Sequence, residues 1–304
     1  MKPVEIKATS LINRAKIPSV DYVVNPYVGC VFGCAYCYAS ASGRRLGEPV
    51  STWGDYLYVK TNAVEVVRKQ LARMDEGKRQ GTLVLSSQTD PYQGHEKHYR
   101  LTRGILAELV AVRYPGTVRI LTKSPLVTRD VDLLTALPDA EVGLTVTTTD
   151  DTVSRWLEVR APLASRRLRT LAELYEAGVR TYAFVGPLLP HFVEEPQLME
   201  TLFARLAEAG VREVYMEHIN LDSYIRRRTD EVLADEPDHV RDAYARARTR
   251  SHKERLDDLV GPLLAKHGLT LRFDEVIRHT EFAQKKHAEN AARVVGSGLE
   301  SPRP

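Results

Sequence analysis

Residues 25–40 read NPYVGCVFGCAYCYAS, and this stretch holds all three cysteines of the chain, spaced Cys30-x3-Cys34-x2-Cys37. A disulfide framework would want an even number of cysteines spread along the sequence. Three clustered thiols point instead to metal or redox chemistry. Gly29 and Gly33 let the loop wrap tightly, because glycine accepts backbone angles closed to other residues. Three thiolates on one short loop can hold three irons of a [4Fe–4S] cube, and the chain has no cysteine for the fourth. A bare iron can bind a small molecule through nitrogen and oxygen. A zinc site is one alternative, with a fourth ligand such as His95 or His98. Buried cysteines without a ligand are the other.

Outward from the loop, β-branched runs alternate with amphipathic segments. Strands are expected at 22–25, 82–86, 118–121, 142–146, 179–184 and 211–216, where Val, Ile, Thr and Tyr dominate. Helical spacing of apolar residues marks 63–71, 101–113, 130–136, 164–177 and 196–209. Two of these helices end in EAG, where Gly178 and Gly210 can take the left-handed position after the last turn. Such alternation predicts an α/β fold with a parallel sheet, and six units where a closed barrel has eight predict an open one. The organisation expected is an N-terminal extension (1–20), a partial (β/α)6 barrel of TIM type (21–220) and a helical C-terminal extension (221–304). The last part holds a possible strand at 269–273 and a loose tail at 295–304.

Composition narrows the function classes. A 43% hydrophobic content over 304 residues supports a sizeable core. No apolar run approaches the roughly 20 residues that span a bilayer, and the opening MKPVEIKATS lacks the apolar stretch of a secretory signal. A cytoplasmic protein without membrane attachment is expected. The net charge is only +3, and its basic residues are interleaved with acids, as in RRLRTLAELYEAGVR at 166–180. Nucleic acid is therefore a possible partner but not a favoured one.

The C-x3-C-x2-C spacing with an aromatic residue, here Tyr36, before the last cysteine resembles the radical S-adenosylmethionine (SAM) superfamily. The resemblance implies a partial (β/α)6 barrel, a [4Fe–4S] cluster, and SAM chelating the unique iron through its amine and carboxylate. It also implies reductive cleavage of SAM to a 5′-deoxyadenosyl radical that abstracts a substrate hydrogen, with an external electron donor such as flavodoxin or ferredoxin. Further segments resemble the spore photoproduct lyase-like (DNA repair photolyase-like) branch. These are SSQTDPYQGHEKHYRLTR at 86–103, LTKSPLVTRDVDLL at 121–134, EVRAPLASRRL at 158–168 and LYEAGVRT at 174–181. Together with the cysteine stretch they span residues 25–190.

In such barrels, functional groups gather at the C-terminal ends of strands. There the resemblance places Ser86, Ser87, Thr89 and Asp90 near the methionyl amine, although Thr-Asp-Pro is also ordinary turn chemistry. Lys123, between Thr122 and Ser124, could pair with the methionyl carboxylate, or be a solvated surface charge. Thr145, Thr147 and Thr148 could bond ribose hydroxyls or the carboxylate. Glu158 and Arg167 match the branch's E-x8-R spacing and would serve ribose and carboxylate; a surface salt bridge at a helix start is the alternative. Val159 stands where the branch often has proline.

Spore photoproduct lyase returns hydrogen to its product through a cysteine, and here every cysteine is committed to the loop. Tyr92, Tyr182 and Tyr215 are replacement candidates, each equally readable as packing. His218, with Glu217 and Asn220, is the expected substrate contact. Arg226–Arg228 could meet phosphate or form a solvated face. The function expected is hydrogen abstraction from a small-molecule or nucleoside-type substrate, as in a dehydrogenation, epimerisation or rearrangement. Nucleic-acid repair by the same radical, or a non-catalytic Fe–S or zinc module, are the alternatives.

Overall fold

The β-branched runs become strands whose ends fall within a few residues of those expected. A computed structural model describes residues 1–221 and 223–278; the tail at 295–304 lies outside the described residues. Its strands are β1 (Val4–Ile6), β2 (Ile12–Arg14), β3 (Tyr22–Val24), β4 (Tyr27–Val28), β5 (Tyr58–Lys60), β6 (Leu83–Leu85), β7 (Val118–Thr122), β8 (Ala140–Thr145), β9 (Arg180–Leu188), β10 (Glu213–His218) and β11 (Thr270–Leu271). The α-helices are α1 (Ala63–Arg73), α2 (Glu76–Arg79), α3 (Glu96–Tyr99), α4 (Leu101–Ala111), α5 (Val131–Ala136), α6 (Asp151–Glu158), α7 (Ala164–Glu176), α8 (Pro196–Glu208), α9 (Ser223–Leu233), α10 (Asp238–Arg246) and α11 (Arg250–His267).

The main sheet runs β11-β10-β9-β8-β7-β6-β3-β2. Every pairing from β3 to β11 is parallel, and β2 closes one edge antiparallel to β3. Its two edges do not meet, so the barrel is partial. A second, three-stranded sheet, β1-β5-β4, joins the N-terminal segment to the chain around the cysteine loop. Neither the segment at 4–14 nor β5 was read as strand from sequence, because runs of three residues carry too little alternation to register.

Alternation along the strands divides the sheet faces. Val118, Ile120, Val142, Leu144, Val185, Val214 and Met216 are fully buried in the main core with the helices. Each such side chain contributes roughly 1.5–3 kcal/mol of burial. Their neighbours Arg119, Leu121, Glu141, Gly143, Tyr182, Phe184 and Tyr215 take the concave face. Gly143 is required there, since a Cβ would lie 2.1 Å from the Tyr182 ring.

The helical extension builds a smaller core from Ile219, Leu221, Ile225, Leu233, Val240 and Tyr244. Tyr36 of the cysteine loop and Trp156 of α6 pack against it. These helices therefore sit beside the loop, at the C-terminal end of the parallel strands. No helix among the described residues is long and apolar enough to cross a membrane.

Candidate active site

Strand β3 delivers the chain to the cysteine loop, and glycine sets the loop's path. Gly29 has φ +91°, and a Cβ on it would stand 2.5 Å from the Tyr56 carbonyl oxygen. Gly33 has φ +67°. Side chains of the loop and of the segment after β6 then pin the two together. Asn25 Oδ1 accepts from the amides of Ser87 (3.0 Å) and Gln88 (3.1 Å). Gln93 Oε1 accepts from the Val31 amide at 3.0 Å, and its Nε2 donates to Thr89 Oγ1 at 2.9 Å. The Thr89 hydroxyl donates to the Gly29 carbonyl, and the Tyr38 hydroxyl to the Ser87 carbonyl.

Asn25, Gln93 and Tyr38 were not singled out as functional from sequence. Their signal was present in the quoted segments. A glycine-turned loop has backbone groups with no ladder partner, and such groups must be satisfied by nearby side chains.

The three thiols are unbridged; Cys30 and Cys34 are buried and Cys37 half-buried. Burial, chiefly, pushes Cys30 well up and Cys34 up to about 12, with Lys123 drawing Cys34 back. Three cations, Lys123, Arg167 and Arg228, lie close enough to these thiols to act on them. Without a ligand the thiols are protonated, and metal loading would release protons.

Beside Cys34 lies a compact polar group. The Tyr36 hydroxyl donates to Glu158 Oε1, and the Arg167 guanidinium donates to Glu158 Oε2. Arg167 also donates to the Thr145 carbonyl (3.1 Å), the Ser154 hydroxyl (3.2 Å) and the Pro162 carbonyl (2.7 Å). Lys123 Nζ stands 3.9 Å from Glu158 and 5.6 Å from the Tyr36 ring centre. Burial alone would raise the Glu158 carboxyl, but Arg167 and Lys123 prevail and hold it below its ordinary value. The reading of Glu158 and Arg167 as a surface salt bridge at a helix start is thereby corrected. Both side chains are fully buried, and Glu158 ends α6. Nor is Lys123 a solvated surface charge, with only 15% of its side chain exposed.

Asp90 works on protein groups. Its Oδ1 accepts from the Thr122 hydroxyl (2.7 Å) and the Tyr92 amide (2.8 Å), and its Oδ2 from the Lys123 amide (2.8 Å). It thus ties the end of β7 to the loop after β6. Burial pushes its carboxyl up against these three donors. Ser86, at φ +68°, and Thr147 each bury a hydroxyl that has no hydrogen-bond partner.

The remaining candidates lie apart from this group. Tyr92 is fully buried under the Arg129 guanidinium, 5.9 Å away. Tyr182 and Tyr215 face the lumen deeper in the barrel, their rings 5.4 Å apart. The Tyr182 hydroxyl donates to the Ile120 carbonyl (3.0 Å), and that of Tyr215 accepts from Arg272 (3.3 Å). His218 Nε2 lies 2.8 Å from Asp257 on α11, whose other oxygen accepts from Arg278. Glu217, one residue earlier, acts on Cys37 and Tyr38. His95 sits beside the N-terminal ammonium. Among the described residues, no three His, Cys, Asp or Glu side chains are placed to hold a single ion.

This site fits an Fe–S cluster with a polar ligand. The three thiols of one loop act on one another and lie beside Lys123, Arg167 and Arg228, cations that suit a shielded anionic group. The unpartnered Ser86 and Thr147 hydroxyls at the strand ends await polar partners, and buried polar atoms are ordinarily satisfied.

Comparison with known proteins bears on the family and the fold. Residues 24–202 match the model of the Radical SAM superfamily. An uncharacterized protein of Mycobacterium tuberculosis is 30% identical over 84% of this chain and 77% of its own length. A second, from Methanocaldococcus jannaschii, is 34% identical over 63% of this chain and 69% of its own. A radical SAM Nα-GlyT isomerase of Pseudomonas phage M6 is 26% identical over 65% of this chain and 39% of its own. In structure, a spore photoproduct lyase mutant with dinucleoside spore photoproduct superposes with TM-score 0.65 at 16% identity, covering 89% of this chain and 81% of that one.

Proposed function

The chain belongs to the radical SAM superfamily, and on that premise we propose that it abstracts hydrogen from a small nucleoside-type substrate, with Cys30, Cys34 and Cys37 holding a [4Fe–4S] cluster. The observation that carries this reading is that the three cysteines share one glycine-turned loop at the mouth of a partial barrel, under the influence of Lys123, Arg167 and Arg228. When bound, the cluster and SAM together supply the hydrogen-atom abstraction, driven by one electron from a flavodoxin- or ferredoxin-type donor.

The chain's own residues would do the rest. Lys123, partly shielded and 3.9 Å from Glu158, offers an ammonium to the methionyl carboxylate. Ser86, Ser87 and Thr89 offer acceptors to the methionyl amine, and Asp90 keeps their loop fixed to β7. Thr147 has a hydroxyl free for ribose. Glu158 and Arg167, tied to each other and to Tyr36, hold the wall against which cofactor and loop rest. Tyr182 and Tyr215 close the lumen beneath, and Tyr215 is the candidate there for contact with substrate. Tyr92 and His218 act on the frame around the mouth.

A nucleoside-type substrate is supported by the dinucleoside seated in the structurally similar lyase, and a rearrangement by the isomerase named among the relatives. Repair of a nucleic acid is a second reading, favoured by one surface beside the mouth. There Tyr38 is half exposed and Arg44 lies 5.5 Å over the Tyr224 ring, an arrangement suited to a stacked base and its phosphate.

Anaerobic reconstitution should load about four irons and four sulfides per chain, with reductant-dependent formation of 5′-deoxyadenosine from SAM. Loss of the cluster in Cys34→Ala is expected. Zinc in place of iron, or full activity in that variant, would remove the reading. Deuterium moving from labelled nucleosides into 5′-deoxyadenosine identifies the substrate. Transfer from oligonucleotides alone would favour repair.

A further inference from the structure

Three consecutive arginines occupy α9, and the helix turns only one of them inward. Ile225 and Thr229 are fully buried at i and i+4, so the 100° step per residue leaves Arg226 and Arg227 in solvent. Arg228 falls on the buried stripe and reaches the cysteine loop. Its Nη2 donates to the Gly33 carbonyl at 3.1 Å, in the turn between Cys30 and Cys34. Its Nη1 is buried with no hydrogen-bond partner in reach.

A buried guanidinium nitrogen left without an acceptor is costly, and evolution has simple ways to avoid it, such as lysine or a shorter side chain. Once ionised, as a bound cluster would make them, the thiolates of Cys37 and Cys34 are the anions that act most on Arg228, and they oppose the burial that otherwise lowers its pKa. The acceptor that Nη1 lacks therefore belongs to whatever those thiols hold. Helix α9 itself is fixed by the small core that packs on Tyr36, so the guanidinium is carried on a rigid support.

We propose that Arg228 is a positioning residue of the helical extension: one arm clasps the cysteine loop at Gly33, and the other donates to the sulfur face of the cluster beside Cys37. This inference rests on the cluster reading above. A donor and positive charge at that face stabilise the reduced, more negative cluster over the oxidised one. Arg228 thus raises the reduction potential and eases delivery of the electron.

The test is an EPR-monitored redox titration of the reconstituted full chain, with iron and sulfide counted beforehand. Arg228→Met is expected to retain the cluster but shift its reduced-to-oxidised ratio about tenfold toward oxidised at fixed poise, which is 59 mV for a one-electron couple. Arg228→Lys keeps the charge and can reach only one acceptor, so a smaller shift in the same direction is expected. Arg227→Met, on the exposed face, should leave the potential where it was. Unchanged potentials in both Arg228 variants, with full iron, would overturn the inference and leave a loop clasp only. Should Arg228→Met not fold, an unchanged potential in Arg228→Lys overturns it alone. If the unaltered chain assembles no [4Fe–4S] cluster, the cluster reading itself has failed, a result the iron count separates from the first.

Discussion

Arg167 and Glu158 form a fully buried ion pair, joining the first half of α7 to the last residue of α6, and Tyr36 of the cysteine loop shares the same carboxylate. A buried pair is not strong evidence of net stabilisation, but removing one partner leaves the other charged and desolvated. Glu158→Gln should therefore destabilise the chain by about 3–5 kcal/mol, read as a lower urea midpoint with unchanged slope. The double variant Glu158→Gln with Arg167→Met should cost less than the two single changes summed. Strict additivity would mean that the two residues do not act as a unit.

Asp90 gives a second prediction. Its carboxylate accepts from three donors on two elements, and asparagine would turn one of those acceptances into a donor facing a donor. Asp90→Asn should cost about 1–3 kcal/mol and loosen the end of β7 that carries Lys123. SAM affinity should fall while the iron count is preserved, as equilibrium dialysis against the reconstituted protein would reveal. Unaltered affinity would confine Asp90 to the fold.

Much of this frame was legible in the sequence because parallel strands buried on the helix side need β-branched residues, and their helices need a 3.6-residue stripe. The central strands and their five helices follow from those two periods. Helix α6 did not register: TTTDDTVSRW reads as polar loop, and only Ser154, Leu157 and Glu158 are buried in it. Asp150, whose carboxylate caps the Thr152 and Val153 amides, was the available start signal. Side-chain direction was the harder quantity. Lys123 was placed just past a strand end, and Glu158 was matched to Arg167 by the E-x8-R resemblance, but nothing local revealed that Glu158 ends a helix or that His218 meets Asp257, a contact 39 residues away in sequence. Likewise the RRR run named three arginines, and only the helical phase set by Ile225 and Thr229 distinguishes Arg228.

The cysteine loop makes a separate prediction through its glycines. Gly29 and Gly47 both hold left-handed angles, φ +91° and +82°, but a Cβ at Gly29 would meet the Tyr56 carbonyl at 2.5 Å whereas at Gly47 it meets nothing within 4 Å. Gly47→Ala should cost only the backbone penalty, about 1 kcal/mol. Gly29→Ala adds a backbone clash beside Cys30, so the loop must move and iron loading should fall severalfold. Equal iron contents in the two variants would show that the loop tolerates displacement and that the close approach to Tyr56 is incidental.

His191, where the chain after β9 meets Tyr244 of α10, makes stability depend on pH. Its ring is 97% buried between Phe192 and Tyr244, stacked on the latter at 6.2 Å. Burial pulls its pKa from 6.5 down to about 4, with Glu195 opposing and His239 assisting. The unfolded chain takes up this proton near 6.5 and the folded chain only near 4, so between those values the unfolded state binds more protons. The contribution is complete above 6.5, falls as pH drops through the window, and is gone below 4. For one proton the slope is about 1.4 kcal/mol per pH unit. Urea unfolding at several pH values should show this slope, and His191→Phe should flatten it by one proton's worth. His252 on α11, also buried with a lowered pKa, should keep part of the slope in the variant. Identical slopes with and without His191 would mean that its ring is protonated as readily in the folded state as in the unfolded.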